Sequence, residues 1–72
     1  MTETATSTAA LAQFDRWISC VSREIQFRHR VYPALITRGK MTAERAEREI
    51  DTMGEVLAYL QRQRSAKVGG GV

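Results

Sequence analysis

Two apolar stripes with alternating spacings of three and four residues dominate this sequence. Leu11, Phe14, Ile18, Val21 and Ile25 form the first, and Arg28 and Tyr32 continue its spacing. Ala46, Ile50, Met53, Leu57 and Leu60 form the second. Positions three and four apart share one face of an α-helix, so each stripe predicts an amphipathic helix rather than a strand. The first helix should run for about 22 residues, roughly 33 Å. Trp17, Cys20 and Phe27 lie beside the first stripe, and Val56 and Tyr59 beside the second. Both apolar faces are therefore wider than a two-stranded seam requires.

Punctuation between the stripes sets the topology. Proline lacks an N–H and biases the residue before it away from the helical region, so Val31-Tyr32-Pro33 should end or kink the first helix. Pro33 to Arg38 then reads as a short proline-initiated turn, closed by Gly39 in the left-handed conformation. Thr42 fits the N-cap of the second helix, with Glu44 in its first turn. Gly54, inside that helix, costs roughly 1 kcal/mol relative to alanine and would mark a close helix crossing. Glu24–Arg28, Glu44–Arg48 and Arg45–Glu49 are spaced for i,i+4 ion pairs, each worth about 0.2–0.5 kcal/mol. Residues 1–8, rich in Thr and Ala, read as a disordered arm, residues 9–64 as the helical hairpin domain, and residues 65–72, with Gly69, Gly70 and Gly71, as a flexible tail.

The expected fold is all-α: an antiparallel two-helix hairpin. Charge agrees, because residues 14–40 carry six basic and two acidic groups, whereas residues 41–60 carry two basic and five acidic ones. Folding back places the basic end of one helix beside the acidic start of the other. With 72 residues, such a chain buries only about 60% of its unfolded surface and is marginal as a monomer. A single cysteine, Cys20, excludes an internal disulfide framework, and Cys20 with His29 is too small a set for a structural zinc site. Self-association remains, and a two-fold homodimer forming a four-helix bundle would cover both wide faces. The expected core and dimer residues are Phe14, Ile18, Val21, Ile25, Ile50, Met53, Leu57 and Leu60.

No catalytic constellation can be assembled from these residues. His29 sits between Arg28 and Arg30, and Cys20 has no histidine at helical spacing. There is no glycine-rich phosphate loop, and no cofactor is expected. No apolar run reaches the roughly 18 residues of a membrane span, and the first residues lack a basic-then-apolar signal pattern, so a cytoplasmic location is expected. A pI near 9.6 raises nucleic-acid binding, through a basic face of Arg16, Arg23, Arg28, Arg30, Arg38 and Lys40. Against it, residues 42–49, the start of a would-be recognition helix, hold three carboxylates that phosphate would repel. Protein binding is the stronger expectation, with a DNA-associated regulator as the alternative. Tyrosine, tryptophan and arginine most often dominate protein contacts, which singles out Trp17, Arg28, Arg30, Tyr32 and Tyr59.

Arg23-Glu24, Arg28, Val31-Tyr32-Pro33, Ile36, Gly39, Met41, Ala46, Glu49-Ile50 and Met53 together resemble small proteins encoded by tailed phages and prophages. Over this stretch of about 30 positions, under half the chain, the match reports mostly architecture. Among proteins of this size and shape, the chain is similar to the phage quorum-sensing anti-activators, which are all-helical and dimeric. That resemblance implies a non-enzymatic inhibitor of host proteins. Its targets would be the ligand-binding domain of a LuxR-type transcription activator and the ATPase that assembles type IV pili.

Overall fold

A computed structural model describes residues 2–69, and the side chains of residues 8–68. It consists of two helices, α1 (Thr2–Thr37) and α2 (Ala43–Gly69), packed against each other as an antiparallel hairpin. The hairpin is a thin rod of 56 × 15 × 11 Å. Among the described residues none is in a strand, and no helix is long and apolar enough to cross a membrane.

The expected break at Val31-Tyr32-Pro33 does not occur, since α1 runs through Pro33 to Thr37. Proline in a helix interior removes one hydrogen bond, here the one to the His29 carbonyl. Pro33 is exposed, so water can serve that carbonyl, while half-buried Val31, Tyr32, Leu35 and Ile36 hold the last turns onto α2. Residues 33–37 of the expected turn are therefore the end of α1, and Arg38 begins the connector. α1 begins at Thr2 and α2 continues to Gly69, so residues 2–8 of the expected arm and 65–69 of the expected tail are helical backbone. Extending a nucleated helix adds one hydrogen bond per residue fixed, which favours such prolongation. The rest of the expected tail lies outside the described residues.

The true connector is shorter, and its chemistry is as the sequence indicated. Gly39 takes a positive φ of 74°. Its N–H donates to the Ile36 carbonyl at 3.0 Å, and the Lys40 N–H to the Leu35 carbonyl at 2.8 Å. These two bonds satisfy carbonyls that the end of α1 would leave orphaned. Thr42 caps α2: its hydroxyl oxygen accepts from the Arg45 N–H at 3.1 Å, and its carbonyl accepts from the Ala46 N–H at 3.0 Å.

The seam between the helices follows the two stripes. Phe14, Ile18, Val21, Ile25, Ile50, Met53, Leu57 and Leu60 are all half-buried, and Ala46, 5% exposed, is the one buried hydrophobic residue among those described. Gly54 does not mark a close crossing, because a Cβ added there would meet nothing within 4 Å. Of the three expected i,i+4 pairs, Glu24–Arg28 forms; the other two stay open. The ion pair that spans the helices is one the stripes did not indicate, Arg64 Nε to Asp15 Oδ1 at 2.6 Å.

Candidate interaction surface

Asp15–Arg64 fixes the register: residues on opposite helices whose numbers add to about 79 lie level. Val21 is thus level with Leu57, Ile25 with Met53, and Tyr32 with Ala46, alternating along the seam as in an antiparallel coiled coil. One consequence decides the shape of the surface. Trp17, Glu24 and Val31 immediately precede the seam residues Ile18, Ile25 and Tyr32; Glu49, Val56 and Gln63 precede Ile50, Leu57 and Arg64. In antiparallel helices, positions that precede seam residues emerge on the same side of the hairpin.

The hairpin therefore has two unlike faces. One carries Trp17, Cys20, Phe27 and Val31 from α1 with Val56 and Tyr59 from α2. The large apolar side chains on it stay open: Trp17 43%, Phe27 49%, Val56 45% and Tyr59 54% exposed. By level these residues span positions 17–31 of α1, about 21 Å of helix. The opposite face carries Asp15, Ser22, His29 and half-buried Ile36 with Glu47, Gly54, Gln61 and, near the end of α2, Val68, which at 53% exposed is the one open large apolar side chain of this column. Glu24 and Glu49 share the first side, so its large apolar side chains form an amphipathic strip rather than an unbroken patch, and their gathering on one side is the mark of a docking surface.

Local contacts tie the open face to its surroundings. Trp17 meets Phe14 edge-on, ring centroids 5.3 Å apart at 80°, so the seam orients the indole. The Arg30 guanidinium lies 6.0 Å from the Phe27 ring centroid, at the outer limit of a cation–π contact. Arg30 continues a column with Arg16 and Arg23, each seven residues apart on the exposed outer edge of α1. The matching edge of α2 carries Arg48, Glu55 and Arg62.

Of the five side chains singled out for partner binding, Trp17, Tyr59 and Arg30 come together on or beside this face. Arg28 and Tyr32 do not join them, because both occupy seam positions and are half-buried. Arg28 takes a seam place that an aliphatic residue would normally fill. Its Nη1 donates to the Glu24 carboxylate and, at 3.2 Å, to the Glu24 carbonyl, while its buried Nε has no partner. The hydrogen bond to Glu24 raises the Arg28 pKa above its ordinary value, burial opposing, so the guanidinium is a fixed cation. Phe27 and Val56 were readable only as residues flanking the stripes. Assigning them to one face needs the register that Asp15–Arg64 supplies.

Among the described residues there is no group of three or more His, Cys, Asp or Glu able to hold a metal ion. A surface hollow lined by Ala58, Gln61, Arg62, Ser65 and Ala66 belongs to α2 alone. Cys20 is exposed as a free thiol. What the arrangement offers is a strip rich in large apolar side chains, edged by arginines with Glu55 among them, suited to covering another helical surface. Set against known protein families, curated proteins and solved structures, the chain matches none.

Proposed function

We propose that this chain is a non-enzymatic binding protein: two hairpins pair into a four-helix bundle, and the pair acts by occupying the surface of another protein. The observation that carries the pairing is the exposure of Trp17, Phe27, Val56 and Tyr59 together on one side of a hairpin with one buried side chain among those described. A face of this kind gains stability only when something covers it. The phage resemblance supplies the biological setting, an inhibitor made in the cytoplasm of a host cell. It also supplies the target class: the ligand-binding domain of a LuxR-type activator, with the type IV pilus assembly ATPase as a second target. Titration of a purified LuxR-type ligand-binding domain with this protein tests it. Saturable binding and loss of the activator's hold on its DNA site are expected; no binding by either target class would retire the anti-activator reading.

A second reading, a small DNA-associated regulator, is favoured by one feature, the line of Arg16, Arg23 and Arg30 along α1. Successive members are about 10.5 Å apart along the axis. Glu24, Glu49 and Glu55 lie among or across from these arginines and oppose phosphate. Duplex affinity that falls steeply with salt would support this role, and no duplex binding at moderate salt would remove it.

A further inference from the structure

We propose that the occupant of the open face is a second copy of this chain, related by a two-fold axis parallel to the helices, so that α1 of each hairpin lies on α2 of the other. This rests on the self-pairing proposed above and specifies its geometry. The area available is of the right size. The hairpin exposes 5507 Å², whereas a globular monomer of 8.1 kDa exposes about 4,500 Å². The surplus of about 1,000 Å² matches the roughly 800 Å² per partner that a stable interface removes from water.

Charge then chooses between the two ways of stacking the faces. The edge columns Arg16-Arg23-Arg30 and Arg48-Glu55-Arg62 are level with each other and symmetric about Arg23 and Glu55, the same level on which the apolar patch is centred. A two-fold axis perpendicular to the helices would lay α1 on α1 and α2 on α2. Arg23 would then face the partner's Arg23, Glu55 the partner's Glu55, Arg16 the partner's Arg30, and Arg48 the partner's Arg62. Every one of these juxtaposes like charges. With the axis parallel to the helices, Arg23 faces the partner's Glu55 on both edges, and Arg30 becomes level with the partner's Glu49. The like pairs left, Arg16 with the partner's Arg62 and Arg30 with the partner's Arg48, share the exposed edges with Arg23 and Glu55, where salt screens like and unlike pairs alike. The parallel axis is favoured because it alone replaces like pairs by the two Arg23–Glu55 pairs. Either axis makes every neighbouring pair of helices antiparallel, as in up-down bundles, so the choice between them rests on charge.

Native Cys20 gives a direct test. It is level with Tyr59 and, across a parallel two-fold, abuts the partner's Tyr59; across a perpendicular two-fold it would abut the partner's Phe27. Tyr59→Cys and Phe27→Cys, each in the full chain, are oxidised and run on non-reducing gels beside sedimentation of the wild type. The expected result is a wild-type dimer, with the covalent dimer the major species for Tyr59→Cys and absent for Phe27→Cys. Val56→Cys provides a second reporter on the same side if Tyr59→Cys fails to fold, and should also cross-link. Cross-linking through Phe27→Cys in place of the other two would overturn the parallel axis while leaving the pair intact. A dimer that links through none of them would show that another face is used. A wild type that sediments as a monomer at tens of micromolar would overturn the self-pairing itself.

Discussion

Phe27→Ala separates a face that is merely exposed from one that is covered in a dimer. A phenylalanine presents on the order of 200 Å² of apolar surface. Phe27 is 49% exposed, so about 100 Å² of its ring remains for a partner to cover. At about 25 cal/mol per Å², complete coverage is worth about 2.5 kcal/mol per copy and about 5 kcal/mol per symmetric pair. Half coverage gives about 2.5 kcal/mol for the pair. With tenfold per 1.4 kcal/mol, the dissociation constant should rise between about 60-fold and about 4,000-fold. The isolated hairpin should hardly notice the change. The Arg30 contact at 6.0 Å is worth about 0.5–1 kcal/mol at an exposed site, and alanine returns a few tenths through its better helix propensity. Sedimentation velocity over a concentration series, with circular dichroism on the same samples, measures both quantities. An unchanged dissociation constant at full helicity would refute the argument.

Two further substitutions probe the fold itself. Pro33→Ala should stabilise the protein by about 1–2 kcal/mol in denaturant titration, the gain of a helix-interior alanine less the lost rigidity of the unfolded chain; destabilisation would mean that the helix needs the proline. Gly39→Ala should cost about 1–2 kcal/mol, because a Cβ is penalised at positive φ even though nothing lies within 4 Å of it; a neutral result would mean that the connector does not hold φ near 74°.

The hairpin could be read from the chain because its determinants are local. Alternating spacings set the seam, Gly39 closes one helix and Thr42 opens the next, and each acts within a turn of its own position. What was misread at Pro33 is a contest between local and tertiary terms. One missing hydrogen bond on an exposed side loses to the seam contacts of Tyr32, Leu35 and Ile36 beyond it. The interaction surface was less accessible for a different reason. Trp17 and Tyr59 were visible as flanking aromatics, but whether they share a side depends on the offset between two helices. That offset is fixed by residues as far apart in the chain as Asp15 and Arg64. Arg28 and Tyr32 already continued the first stripe in spacing but were singled out for partner binding by residue type, and the structure seats both half-buried in the seam. The partner's identity is not a property that periodicity can carry.

The hairpin topology has a practical corollary for anyone labelling this protein. Thr2 and Gly69 leave at the same pole of a 56 Å rod, far from Gly39. Purification handles on either terminus therefore keep clear of the Arg38–Lys40 tip. Fluorophores on both termini of one molecule stand close enough to exchange energy by themselves. Counting subunits by such transfer would report a pair where there is one chain, so donor and acceptor must be carried on separately labelled molecules.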